Sequence, residues 1–600
     1  MLSGRSITHL CAGSAFGAKE ESLFDRWVLG SIFRRAHSSR HFYSLCDACA
    51  ARPGSVSLCT VAVELGELRA ELLQRIPRLL TGHDIPGLAI AVVHGPDCWT
   101  QGFGHTKRDG GIPVGAETIF SLQSISKFFT AFTVLAAVRD GLVDLDQPVS
   151  RYLPECTVWS RHQDRPQDTM TIRHLLCHAA GFTHEAPVGN SFAVGGESFD
   201  QHVASISQTW LRFRVGARHE YSNLGLDLAA AIVARVRNAE FADAVRASVL
   251  GPLDMTRSTY HLAQIEATSD RAVGHHPQVP QPPVKMPMLG AGGMYSCARD
   301  LARFLRAELS GQVLPAMLVT EMRAVQLPVR GQVSGYGLGL GVWAGDGWTV
   351  YGGSGGGFGF LADLFWEPAS GSGVGVLTNS CHPLVSAFAL EILARLAGRD
   401  PRDRFAGLPV SRGPASAKEY GTFCGQYVGR GTVLDLTARD GLVGMAAEGE
   451  SFTPLAVLDD DDLLADMPAS PLPLRLRPVA GAGGQPAYLL SLLDGSALGY
   501  NSPLPPPTPR DAAQAERHAD AHAGDYQVHD LGPASIPAAL QLRDQRLWLS
   551  APDLTGVPCL RLDPDLETDG LYFTPTGETL DLRTEPPIYA AVPLHRAMPR

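Results

Sequence analysis

Ser124 and Lys127 stand three residues apart in the apolar stretch IFSLQSISKFFT (119–130), in a chain of 600 residues with only five lysines. On a helix, positions i and i+3 lie one turn apart on the same face. A serine at the start of that helix meets the partial positive charge of its N-terminus. A lysine amine beside it, walled by Phe128, Phe129 and Phe132, is placed to take the hydroxyl's proton and make a nucleophile. An isolated S-x-x-K reads better as a capping serine followed by a lysine that stretches to solvent, so the pair needs company.

Two further stretches supply it. Tyr221-Ser222-Asn223 precedes the amphipathic run LGLDLAAAIVARV. A tyrosine oxygen beside a lysine can take the serine proton and return it to a leaving group. The Asn223 amide can both hydrogen-bond Lys127 and grip a substrate carbonyl. The third stretch is YGGSGGGFGFLADLFWEP (351–368), with Gly353, Ser354, Gly355 and Gly356 at its head. Glycines there let a ligand approach the backbone closely, and the strand edge can donate an N–H to a developing oxyanion. Taken singly, Y-S-N is a weak signal and a glycine run is as readily a turn. In one order along one chain, the three are stronger than their separate odds suggest.

These residues need a scaffold, and the punctuation of the chain suggests one. IPGLAIAVVHG (85–95) and CWTQGFGH (98–105) read as strands, KFFTAFTVLAAVRDG as a buried helix, VGVLTNS as a closing strand and PLVSAFALEILARLAG as a terminal helix. Residues 1–65 lack a period and read as a poorly ordered extension. A catalytic domain over 66–400 follows, then two small all-β modules over 415–500 and 515–600. The linkers are GLPVSRGPASA (407–417) and the proline-rich SPLPPPTPR (502–510), which favours extended polyproline geometry. The modules resemble each other: Gly425-Gln426-Tyr427 answers Gly524-Asp525-Tyr526, Arg439-Asp440 answers Arg543-Asp544, and LRLR (474–477) answers LDLR (580–583).

Composition excludes several roles. A net charge of −11 and the lack of any basic run speak against nucleic acid or an anionic membrane as the main partner. No apolar run reaches the 18 residues needed to span a bilayer, and the N-terminus lacks the uninterrupted apolar centre of a signal peptide, so a cytoplasmic location is expected. Eleven scattered cysteines suit free thiols, and Cys46-x-x-Cys49 has no second pair at metal spacing. Oligomeric state is left open.

The chain resembles the penicillin-recognising serine hydrolases, which include class C β-lactamases, DD-carboxypeptidases, D-aminopeptidases and related esterases. The likeness covers roughly residues 66–395. Besides the three stretches it includes DGLVDLDQPVSRYLPE, TIRHLLCHAAGF (171–182), PLDMTRST (252–259), GAGGMYSCARDLARF (290–304) and GYGLGLG. It implies an α/β (α+β) β-lactamase-like domain, an antiparallel sheet flanked by helices with a helical insertion, ahead of two barrel-like β modules.

The resemblance also implies an acyl-enzyme on Ser124, Lys127 and Tyr221 as the coupled base, Asn223 as positioning group, and an oxyanion hole from the Ser124 and Gly356 amides. No metal or organic cofactor is implied, and His174 and His178 belong to a structural helix-turn. The expected substrate is a small molecule or short peptide: an ester or amide, with D-amino-acid peptides among the candidates. The chain departs from the family at Gly353-Ser354-Gly355, where relatives usually carry Lys, His or Trp at the head of the third motif. The loss weakens carboxylate recognition while leaving backbone oxyanion donors in place. It also feeds the alternative, a non-catalytic binding or scaffold protein with the same fold.

Overall fold

The computed structural model describes residues 63–597, apart from 192–195, 276–284, 329–333, 346, 383, 400–410, 430–431, 447–451, 466–473, 482–483, 492–496, 503–506, 529–535, 553–557 and 566. The N-terminal extension to residue 62, Cys46 and Cys49, and parts of both expected linkers lie outside the described residues. Among those described, no helix is long and apolar enough to cross a membrane, and Cys177 and Cys297 are free thiols.

A seven-stranded antiparallel sheet organises the first part of the chain. Its order is Asp97–Gly104, Gly87–His94, Ser372–Thr378, Phe360–Glu367, Trp348–Gly357, Gly341–Gly345, Gly335–Tyr336. Side chains alternate across a strand, and here both faces are buried. Leu88, Ile90 and Val92 enter one core with the Leu65–Gly82 and Leu384–Leu396 helices, while Ala89, Ala91 and Val93 enter the other. That double burial explains the near-continuous apolar strand GLAIAVVH, as opposed to an alternating one.

The second core is filled by helices inserted between the strands. Its centre is the Ser126–Arg139 helix, apolar all round and buried from Ser126 to Ala137, as expected of a helix surrounded by protein. Phe129 and Phe132 pack on Phe304 at 5.0 and 5.2 Å between ring centroids, each burial stabilising by about 1.5–3 kcal/mol. The helix ends at Asp140-Gly141. Gly141 has φ +72°, and the amides of Gly141 and Leu142 bond back to Val138 and Ala137. This is a Schellman closure, which favours glycine. The Asn223–Arg237 helix packs on it, with Ser222 as N-cap accepting from Leu224 N.

Two β sheets follow, of ten strands (Ser411 to Tyr500) and nine (Gly524 to Arg596). The first closes nearly into a barrel: Ala415 N bonds Leu455 O, and Val443 N bonds Ala415 O. Each sheet has its own apolar core. The two share a local device at the residues that answered each other in sequence. Tyr427 donates its hydroxyl to Phe423 O and Tyr526 to His522 O, both four residues back, at 2.8 and 2.6 Å.

Candidate active site

Ser124 sits in a 3₁₀ turn, Gln123–Ile125, that feeds directly into the Ser126–Arg139 helix. The turn is held from both sides. Leu122 N bonds Met294 O at 2.8 Å, and Met294 N donates to Ser126 Oγ at 3.0 Å. Gln123, just before the serine, has φ +50°. A non-glycine residue in that region is strained and persists only where its surroundings over-determine it.

Lys127 follows on the first helical turn and is 1% exposed. Its amine donates to Ser124 Oγ at 3.1 Å and to Ala291 O at 2.9 Å. Tyr221 arrives from a segment about a hundred residues later, and its hydroxyl donates to Ser124 Oγ at 2.8 Å. The Lys127 amine lies 4.8 Å from the Tyr221 ring centroid, a cation–π distance. Ser124 itself is half-buried and so partly accessible to solvent. Either neighbour is within hydrogen-bond reach of the serine proton, the geometry a general base requires.

The surroundings hold the Lys127 amine in place. Asp227, four residues after Asn223 and so on the same helix face, accepts from Ala291 N at 3.1 Å and pairs with His202 at 3.2 Å. Asp227 and His202 are both fully buried. They hold the Leu289–Gly292 segment, whose carbonyls at Ala291 and Gly290 accept from Lys127 and Thr130.

The Asn223 amide nitrogen donates to Glu185 Oε1 at 3.0 Å; the expected bond with the Lys127 amine, itself a donor, would use the amide oxygen. Glu185 is buried, also accepts from Ser191 Oγ at 2.9 Å and pairs with His184 at 2.7 Å. Only the NH₂ end of an amide can face a carboxylate, so Glu185 sets which way Asn223 points.

The glycine strand Trp348–Gly357 runs beside Ser124. A Cβ at Gly355 would meet Leu122 O at 2.1 Å and Ser124 N at 2.8 Å, so only glycine lets this strand approach the Gln123–Ile125 turn. A Cβ at Gly353 would meet the Phe128 ring at 3.1 Å, on the same face and without a left-handed φ. Ser354 turns the other way. It donates to Asp363 Oδ1 at 2.5 Å, and Asp363 also accepts from Ser386 of the outer Leu384–Leu396 helix. The structure therefore brings Ser124, Lys127 and Tyr221 together, keeps the Gly355 backbone beside Ser124 and Gly353 against Phe128, and does not bring the Ser354 hydroxyl to Ser124. Gly356 is an exposed strand position opposite Leu361.

The pair His174 and His178 is used for local structure. His174 completes a capping box with Thr171, and His178 Nδ1 accepts from Ser222 N at 3.2 Å. No group of His, Cys, Asp and Glu suited to a metal occurs among the described residues. Sequence reasoning missed Glu185, Asp227 and His202. The GAGG signal was in view, but nothing in it reveals that its carbonyls hold the lysine.

The beta-lactamase family pattern matches residues 72–399. The esterase EstB of Burkholderia gladioli is 28% identical over 296 residues, covering 43% of this chain and 74% of the esterase. Protein flp of Staphylococcus aureus (strain COL) is 24% identical over 238 residues, covering 39% of this chain and 47% of flp. The match thus spans about half the length of flp. Among solved structures, SurE with D-Leu is 25% identical with a TM-score of 0.55, over 72% of this chain and all of SurE.

Proposed function

The chain belongs to the beta-lactamase family, and we propose that it is a serine hydrolase acylated on Ser124, with a small ester or amide as substrate. The observation that carries this reading is the position of Ser124 Oγ, 2.8 Å from the Tyr221 oxygen and 3.1 Å from the Lys127 amine. In the reaction the Ser124 proton passes to the Lys127–Tyr221 pair as Oγ attacks the substrate carbonyl. The tetrahedral intermediate places its oxyanion at backbone amides, for which Ser124 and Gly356 are the candidates. Its collapse breaks the bond to the leaving alcohol or amine, which takes the proton through Tyr221. Water, deprotonated by the same pair, then cleaves the acyl-enzyme and restores Ser124.

The activity named for EstB supports esters as a class to test first, and the D-leucine in the SurE structure supports D-aminoacyl compounds. Gly353 leaves the head of the third motif without a side chain, which favours neutral substrates over those that need a cationic partner for a carboxylate.

A fluorophosphonate probe tests the reading directly. The wild type becomes labelled at Ser124 and the Ser124→Ala variant does not. A folded wild type that stays unlabelled overturns the catalytic reading and leaves the binding or scaffold alternative.

A further inference from the structure

Tyr221 is flanked by Glu220 and Ser222, and both trace back to one residue of the last β module. The turn at 574–578 joins the strands Leu571–Phe573 and Thr579–Asp581 and is tightly closed, with Thr574 N bonding Glu578 O at 2.8 Å and Gly577 N bonding Thr574 O at 2.9 Å. Glu578 at its end lies 3.1 Å from Arg212, and Arg212 lies 3.2 Å from Glu220. The Arg212 guanidinium also donates twice to Thr576 O, at 3.2 and 2.8 Å, and Arg218 donates to the same oxygen at 3.2 Å. On the other side, Thr183 donates its hydroxyl to Glu578 at 2.7 Å, and the Thr183 carbonyl accepts from Ser222 Oγ at 2.6 Å.

Side chains of Arg212, Glu220 and Glu578 are 3%, 4% and 13% exposed. Water is therefore in no position to replace a lost partner, and removing one member leaves its partner uncompensated in a dry site. One carboxylate holds the residue before Tyr221 through Arg212 and the residue after it through Thr183.

We propose that Glu578 is a positioning residue for the hydrolase reaction: by clamping both neighbours of Tyr221 it holds that hydroxyl on Ser124, so that the last β module completes the active site. The proposal rests on the reading of Tyr221 as proton carrier. The clamp acts on proton transfer and not on substrate contact, so its loss lowers kcat and leaves KM for a small neutral ester nearly unchanged.

The test uses the full chain and fluorophosphonate labelling of Ser124. Glu578→Gln should slow labelling by about tenfold, the scale of a modest misplacement of a general base, and Thr183→Val, which cuts one arm only, by about threefold on the same grounds. Glu567→Gln, an exposed change on the same module, should leave the rate unchanged. In a Tyr221→Phe background, Glu578→Gln should have no further effect, because a clamp cannot act on an absent hydroxyl. A Glu578→Gln rate within twofold of wild type overturns the proposal, as does a full tenfold loss repeated on top of Tyr221→Phe. If Glu578→Gln fails to fold, Thr183→Val decides: a rate within twofold of wild type, or its whole loss repeated on top of Tyr221→Phe, overturns the proposal. Should the wild type never label, the hydrolase reading falls, and amide hydrogen exchange decides the clamp. Faster exchange of residues 218–224 in Glu578→Gln or Thr183→Val supports it, and unchanged exchange overturns it.

Discussion

Ser124 has two proposed bases within reach, Lys127 and Tyr221, and replacing Tyr221 by Phe separates them. The ring is packed at 4.4 Å from His178 and stacked at 5.9 Å on His184, contacts that phenylalanine keeps. Only the oxygen 2.8 Å from Ser124 Oγ is lost. The expected outcome is a kcat lower by about a hundredfold, within the range for a general acid–base group, with little change in thermal midpoint. Steady-state kinetics alongside a thermal melt checks it. Turnover close to wild type would assign proton transfer to Lys127 alone. Asn223 carries a different lesson at this scale. Its residue type announced a polar grip on substrate or lysine, but its buried partner is a carboxylate supplied by a separate loop.

The strand Trp348–Gly357 serves two layers at once. Its Gly353 and Gly355 face the Gln123–Ile125 turn and the Ser126–Arg139 helix, and its Ser354 faces outward, where Asp363 ties the strand pair to the Leu384–Leu396 helix. Burial pushes the Asp363 carboxyl up to about 7, against the hydrogen bonds from Ser354 and Ser386 that lower it. Such a carboxyl binds its proton more tightly folded than unfolded. Stability is therefore fully present below the unfolded value of 3.8 and declines as pH rises towards about 7. At about 1.4 kcal/mol per pH unit, the decline is bounded at about 4 kcal/mol. Asp363→Asn keeps an acceptor for both serines and removes the titration. Wild type should lose stability relative to that variant between pH about 4 and about 7, as read from denaturant midpoints. A constant difference across the range would mean that the carboxyl is already ionised in the folded protein.

At the scale of the whole molecule, the 574–578 turn is where three units meet. It touches the hydrolase domain at Arg212, Arg218 and Thr183, and the first β module at Gly499, where a Cβ would lie 2.3 Å from Pro575 O. Cation–π contacts flank it: Arg161 of the hydrolase domain sits 3.5 Å from the Phe573 ring centroid, and Arg583 of the module 5.9 Å from Trp210. Gly577 tests the seating. It has φ +86°, and a Cβ there would lie 2.5 Å from Arg212 O, a backbone atom that cannot swing aside. Gly484 has φ +76° with open space around it. Gly484→Ala should then cost about 1 kcal/mol of backbone strain. Gly577→Ala should cost about 1–3 kcal/mol more through overpacking, and calorimetry should show the last module melting ahead of the hydrolase domain. Equal effects of the two substitutions would mean that the turn is not seated on Arg212.

The sequence by itself determined what local spacing controls. A separation of three positions puts Ser124 and Lys127 on one turn, Tyr221 and Asn223 stand at the start of a helix whose apolar period is plain, and the glycine run precedes a strand. Period-two alternation also held an unread signal, since it places Ser354 on the face opposite Gly353 and Gly355. The order of the segments carried the family and with it the sheet and helical insertion. The tertiary structure alone decided which partners these groups meet. Asn223 turns to Glu185, the lysine rests on the Ala291 carbonyl, and Asp227 and His202 stand behind it. Thr183 and Glu578 are 395 positions apart and hydrogen-bonded. A contact of that kind depends on how folded units pack, and a helical or strand period extends only over the few residues that share one element.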